Sequence, residues 1–400
     1  MNVNSLNTKN FEEFIIPTIL ILPIFFSLKN GIYNENLIDT SGHRILFEKN
    51  FPISIFITLT SFFYFRRNIF YSKLLLIFFL TSVIIFFTNS FIFNFSLNKF
   101  IYFLQITIPI SILITGLNIK NINFKLIYLV IFFLIVFQIL VTASTGYFVL
   151  RSNLIFFTIY QNLQYVTSII VSIGFIIILD KENKLNFIKE FLFLGLLFLY
   201  AVMSLNFSTI LIYIFGLSLY LILKKKIKFV KIILIVTGIF FSLFLISQIN
   251  LDKEVSKFQH DRSFKTKQLN NLMKFKMPNN IQQRLIIYDE FFNQNFKISE
   301  IIFGKKDLNF FKKYKSSHNI FLDYLLINGI FFSIAIFLLI IYLAILNFQN
   351  YSNRFFLSII LFIFALMMEN LFKVALRQPY SGLISFFYLG FFISFLNQKN

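Results

Sequence analysis

The chain contains no cysteine. That absence removes disulfide scaffolds, zinc–thiolate sites, iron–sulfur clusters and thiol catalysis together. It identifies no compartment, because a chain without thiols is indifferent to redox conditions. Charge is scarce as well: 14% of the 400 residues are Asp, Glu, Lys or Arg, where a soluble domain carries roughly 25%. Hydrophobic residues make up 58% of the chain and the mean hydropathy is +0.77, which excludes an ordinary soluble enzyme. Aromatic residues reach 20%, with 62 Phe and 18 Tyr, and that richness excludes disorder. A bilayer is the solvent that accepts this composition.

Acidic residues are few, 17 against 37 basic ones, for a formal net charge of +20. Nucleic acid is a weak reading of the surplus, since an excess of Phe, Ile, Asn and Lys is what an AT-rich genome produces by itself. Where the charges fall is more informative than their sum. Apolar runs of roughly 17–25 residues give about twelve spans. Their limits lie near 12–28, 51–65, 74–93, 100–117, 126–142, 163–179, 191–206, 209–223, 232–249, 320–346, 355–371 and 382–396. The start of the chain lacks a small-residue cleavage site, so the first span is expected to stay as an anchor.

Basic residues in short loops set the orientation. With the N-terminus inside, sixteen Lys and Arg fall in inside segments, including Arg66, Arg67, Lys73 and the run Lys224, Lys225, Lys226 and Lys228. Short outside loops hold seven: Lys29, Arg44, Lys49, Lys99, Arg151, Lys373 and Arg377. Both termini are therefore expected on the cytoplasmic side. The chain divides into spans one to nine over 1–249, a long outside loop over 250–319, and spans ten to twelve over 320–400. The expected fold is all-α, a polytopic membrane protein. Within the loop, 281–303 reads as one amphipathic helix, with Ile281, Leu285, Tyr288 and Phe292 as its apolar stripe and Arg284 beside it.

The spans carry almost no internal charge. Asp323 and Glu369 are exceptions, each near an outer end, so a proton relay through the membrane centre has little support. No glycine-rich phosphate loop follows a strand, and no His, Asp and Glu cluster has metal-ligand spacing, so neither metal nor cofactor is expected. No internal repeat is visible, and the loop after span nine breaks the symmetry common in transporters. Any chemistry is then expected where the long loop meets the outer ends of the spans.

The informative stretch there is Ser316-Ser317-His318-Asn319-Ile320-Phe321-Leu322-Asp323, closing at Gly329. His318 stands at the mouth of span ten; continued as a helix, it shares a face with Leu322, Leu325 and Gly329. Upstream, Arg284 opens a helical stretch that ends in Ile301-Ile302-Phe303-Gly304. In order and spacing, Arg284, Gly304, His318, Asn319, Leu322 and Gly329 resemble the pattern of the O-antigen ligase and O-antigen polymerase family, bacterial membrane glycosyltransferases of the C-type fold. Twelve spans with a long periplasmic loop between the ninth and tenth resemble the family's layout too. The chain departs from the pattern at Lys306 and Phe332, where a second Gly is common, and at Ile327, where Glu is frequent. A Ser-Arg pair that commonly leads into the eighth span stands here as Asn206-Phe207.

The resemblance implies a donor glycan on undecaprenyl pyrophosphate and an acceptor hydroxyl, on lipid A-core for a ligase or on another carrier-linked glycan for a polymerase. It implies an active site at the periplasmic face of the inner membrane, with neither metal nor nucleotide sugar. His318 would take the proton of the attacking hydroxyl, a role that suits imidazole. Arg284 would hold the leaving pyrophosphate with a fixed fork of donors. Arg151, Arg262 and Arg377 are the other outside candidates for that contact. Asn319, Gly304 and Gly329 are motif positions, the glycines read as turn and packing residues.

Plainer readings stand beside these. A helix-mouth His is often a cap, Arg284 could be a surface anchor with its head at the lipid phosphates, and Asp323 reads as a local cap or pair. His43 and His260 read as solvated loop residues. Two other functions remain open: a lipid-linked oligosaccharide flippase or other transporter, and a membrane scaffold without catalysis.

Overall fold

Long apolar runs pair every backbone N–H and C=O within one segment only when they coil as helices. In a computed structural model the chain is described at residues 11–25, 80–81, 83–85, 87–88, 110–144, 160–180, 185–204, 206–223, 279–305, 309–314, 316–351, 355–371, 376 and 379–397. Helices form every regular element among them. After a π turn at Phe11–Ile15 come α1 (Ile16–Phe25), a helical stretch at 110–118, α2 (Phe124–Ser144), α3 (Tyr160–Leu179), α4 (Phe187–Met203) and α5 (Phe207–Leu223). Three shorter helices follow: α6 (Asn279–Phe292), α7 (Ile298–Phe303) and α8 (Asn309–Tyr314). The last four are α9 (Ile320–Asn328), α10 (Ile330–Gln349), α11 (Phe356–Leu371) and α12 (Pro379–Asn397).

Helices apolar on all sides must be surrounded. That holds for α3 and α12: residues 167–178 and 381–393 are buried without interruption. α12 packs against α1, α3 and α10, and α3 against α2, α4, α5 and α11. Aromatic edges fill the space between, as in Phe362–Phe392 and Phe355–Phe395, whose ring centroids are 5.2 and 5.0 Å apart. Where 110–118 crosses α12, Gly116 and Gly390 bring backbone to backbone; a Cβ on Gly116 would stand 2.1 Å from the Phe387 carbonyl oxygen. Small residues are what permit such an approach.

The outer helices present the opposite pattern. α2 exposes Leu126, Leu129, Phe133, Phe137 and Leu140 along one face, and α10 exposes Phe331, Ile334, Leu338, Ile345 and Phe348. Both sets recur at helical spacing, so each is a continuous apolar stripe. α10, with 20 residues and a mean hydropathy of 2.7, is long and apolar enough to cross a membrane. Shorter apolar helical segments are Phe124–Leu140, Thr167–Leu179, Ser208–Ile222, Phe356–Leu371 and Ser381–Asn397.

The expected spans at 126–142, 163–179, 191–206, 209–223, 355–371 and 382–396 each coincide with a helix. Those at 51–65 and 232–249 lie outside the described residues, as does most of 74–93. Two expectations need correction. Span ten is not one helix over 320–346: it is broken at Gly329, which ends α9 and precedes α10 with φ 81° and ψ 177°. The 281–303 segment is likewise two helices, α6 and α7, parted by a turn and an extended stretch at 293–297. The packed face of α6 also differs from the expected stripe. Ile287 and Phe291 are buried, whereas Leu285 and Phe292 are 53% and 69% exposed.

Candidate functional site

Position 284 shares a helix face with 287, 288 and 291, spaced three and four apart. Arg284 and Tyr288 therefore lie on the packed side of α6, not beside an exposed stripe. Phe291 anchors that side, with its ring 5.5 Å from Phe296 and 5.8 Å from Phe310. A second tie joins α6 to α8: the Glu290 carboxylate accepts from Lys313 Nζ at 2.7 Å and from the Tyr314 hydroxyl.

α7 stops at Gly304, whose φ of 83° is open to glycine and strained for other residues. The chain there runs directly along the end of α9. Lys305 N–H donates to the Leu326 carbonyl at 2.8 Å. A Cβ on Gly304 would stand 2.5 Å from the Ile327 oxygen, and one on Gly329 would stand 1.8 Å from the Ile302 oxygen. The two motif glycines thus make one crossing, in which α7 and the α9–α10 break touch through backbone alone.

The Ser316–Asn319 turn is built by hydrogen bonds within a few residues. Asp323, fully buried, accepts from the Ser316 hydroxyl at 2.9 Å, the Ser317 N–H at 2.7 Å and the Ser317 hydroxyl at 2.6 Å. The His318 N–H donates to Ser316 Oγ at 2.9 Å. Asn319 caps α9, its Oδ1 accepting from the N–H groups of Phe321 and Leu322 at 3.0 and 3.4 Å. His318 is therefore not a helical residue sharing a face with Leu322, Leu325 and Gly329. It precedes the cap with φ 59°, the one non-glycine residue in the left-handed region among those described. Histidine tolerates that region better than most residues, and such outliers gather at functional sites. Its side chain is half-buried.

Tyr288 joins the turn to α6. Its hydroxyl donates to the Leu371 carbonyl at the end of α11, at 3.1 Å, and Asn319 lies close enough to act on it. Burial raises the phenol's pKa, Arg284 and the Asn319 contact pull it down, and Asp323 pushes it up again. Arg284, Tyr288, Asn319 and Asp323 thus form one electrostatic neighbourhood around the turn that carries His318. The remaining candidates, Arg151, Arg262 and Arg377, lie outside the described residues.

A second polar assembly escaped the sequence reading. Glu369, fully buried near the end of α11, accepts hydrogen bonds from Ser168 of α3 and from Ser208 of α5, the latter at 2.6 Å. Ser208 also reaches Asn206 Oδ1 at 2.9 Å, Asn206 donates to Thr167 at 3.2 Å, and Thr167 meets Thr209 at 2.7 Å. Thr209 lies 3.1 Å from Ser168 and closes the ring. Asn206, which stands where the resembled family has Ser, is a member. The ring gathers the starting halves of α3 and α5 and the end of α11 at one end of the bundle. Leu371, two residues beyond Glu369, brings α6 to that same end. The only advance signal was Glu369 itself, an acid in an apolar run; its Ser and Thr partners are too common to stand out.

The Glu290–Lys313 tie predicts a pH window for the loop. The bonds from Lys313 and then Tyr314 hold the Glu290 pKa down, and Glu290 raises that of Lys313. A depressed carboxylate stabilises above its unfolded pKa and is lost as pH falls through the folded one. A raised ammonium stabilises below its unfolded pKa and is lost as pH rises through the folded one. The tie is thus complete between about pH 5 and pH 10, and salt should weaken it. Amide exchange in α8 at pH 7 should speed up in Glu290→Gln and change little in Asp289→Asn. Equal exchange in wild type and Glu290→Gln would remove the tie from the account.

Compared with protein-family models, with curated proteins and with solved structures, the chain matches none.

Proposed function

We propose that this protein is a membrane glycosyltransferase of the O-antigen ligase kind, moving a glycan from undecaprenyl pyrophosphate to a sugar hydroxyl at the periplasmic face of the inner membrane. The observation that carries the reading is the placement of Arg284 and Tyr288, on the packed face of α6, beside the left-handed His318–Asn319 turn. An imidazole and a guanidinium at one end of an apolar bundle are the two groups that transfer from a lipid pyrophosphate needs. The exposed stripes of α2 and α10 support a lipid surround, since patches this long are seldom left in water.

In this reading the acceptor oxygen attacks the anomeric carbon of the donor as its proton passes to the His318 imidazole. The anomeric C–O bond breaks, and its electron pair leaves on the undecaprenyl pyrophosphate. Arg284 offsets the charge gathering there, as a planar fork does better than an ammonium. The left-handed backbone at His318 sets the residue ahead of the α9 cap rather than within the helix.

The reading is tested on a lipopolysaccharide gel of a strain lacking the gene, with and without the wild-type copy. Bare core with polymer held on the lipid carrier supports a ligase accepting on lipid A-core. Core bearing a single repeat moves the assignment to a polymerase, which uses a carrier-linked glycan as acceptor. An unchanged ladder, with other surface glycans also unchanged, overturns glycan transfer and leaves a flippase or scaffold.

A further inference from the structure

We infer that Tyr288 is the positioning residue of this site, a joint that sets Arg284 against the pyrophosphate of the donor. The inference rests on the glycan-transfer reading and adds a residue to it. Tyr288 meets three separate parts of the fold. It follows Arg284 by one helical turn on the same packed face of α6, so the two side chains are neighbours. Its hydroxyl donates to the Leu371 carbonyl, 83 residues away in sequence, at the end of α11. Asn319, which caps α9 and directly follows His318, lies close enough to act on the same hydroxyl.

A phenol is suited to this duty because its ring packs while its hydroxyl donates. The donated bond ties α6 to the end of α11, and the same hydroxyl stands beside the Asn319 cap of the His318 turn. Arg284 has several rotatable bonds, and its guanidinium can serve a bidentate contact only if its helix is held in register with the turn. Phe291, one turn further along, packs on Phe296 and Phe310 and fixes the tilt of α6. On the Arg284 side of α6, the Tyr288 bond to α11 is the hydrogen bond that opposes rotation of the helix about its own axis. Removing the hydroxyl keeps the ring and its packing, so the expected defect is one of aim rather than of folding.

The test uses the full chain in inner-membrane vesicles, with a lipid-pyrophosphate-linked glycan as donor. Tyr288→Phe is expected to raise the donor KM about tenfold and leave the acceptor KM unchanged. A merely structural role would lower the amount of active enzyme, hence Vmax, without moving one KM alone. Because Tyr288 acts through Arg284, the double variant Tyr288→Phe/Arg284→Lys should have a donor KM no higher than Arg284→Lys alone. Multiplying effects, or an unchanged donor KM in Tyr288→Phe, would overturn the inference.

A second measurement is independent of activity. Amide exchange at residues 284–292 and 316–322 should quicken at least about fivefold in Tyr288→Phe, with α12 unchanged. If wild type transfers no glycan, the functional reading fails and this exchange result alone decides the joint. Unaltered exchange overturns it, and faster exchange in both segments supports it.

Discussion

Replacing His318 by glycine should leave protein level and thermal stability close to wild type while glycan transfer falls by about 100-fold or more. The two halves of this expectation come from different atoms of the same residue. The backbone at φ 59° is strained for a residue with a Cβ, and glycine adopts it freely. That relief opposes the extra freedom glycine gains in the unfolded chain, so the net change in stability should stay within about 1 kcal/mol. The Ser316, Ser317 and Asp323 hydrogen bonds that build the turn involve no imidazole atom and survive the change. What disappears is the ring, which on the proposed mechanism accepts the incoming hydroxyl's proton. His318→Ala keeps the strain and loses the ring, so it should transfer as poorly and melt slightly lower. Detergent melts beside the transfer assay decide the matter. Transfer by His318→Gly within a few fold of wild type would remove imidazole from the mechanism.

Gly329→Ala should be far more damaging to the fold, by about 3 kcal/mol or more, combining the left-handed backbone with overpacking. The added Cβ would stand 1.8 Å from the Ile302 oxygen and 2.9 Å from the Phe303 nitrogen. Both are backbone atoms, which no rotamer change can move aside. The α7 strand of the crossing would have to withdraw, breaking the Lys305 N–H bond to the Leu326 carbonyl. Since α7 leads on to α8 and the Ser316 turn, the disturbance should reach His318 as well. Low accumulation in membranes and a lowered melting temperature are the expected results. Gly195→Ala is the matched control: nothing lies within 4 Å of a Cβ there, and helix propensity favours alanine. Equal stability of the two variants would mean that the backbone crossing is not made.

Among the described residues, the sequence pattern foretold helices where apolar runs were long, because a continuous run leaves few other ways to pair its backbone. Parts of the site were legible for a similar reason. Asp323, read as a local cap or pair, takes Ser316 and Ser317 as partners within eight positions, whereas Asn319, read as a motif position, turns out to cap α9. The break at Gly329 was hidden, since Leu326-Ile327-Asn328-Gly329-Ile330 stays apolar on both sides. Its cause is a strand of chain more than twenty residues upstream, pressed against it. The packed face of α6 was misread because Leu285 and Phe292 are as apolar as Ile287 and Phe291. Only the tertiary contacts of Phe291 choose between the two stripes. The Glu369 ring draws on α3, α5 and α11, and no local rule relates residues 161 and 201 positions apart.

The central place of α12 has a consequence for how the molecule is made. A ribosome delivers α1, α3 and α10 before α12, yet α12 lies among them, buried without a break over 381–393. Those contacts form only between segments made far apart in time, since α1 and α3 are complete long before α12 exists. Gly116 and Gly390, in close contact in the folded protein, cannot meet until the segment that carries Gly390 has been made. The most deeply packed helix is thus joined to its neighbours by contacts distant in sequence, which places the slow part of folding at the centre of the bundle.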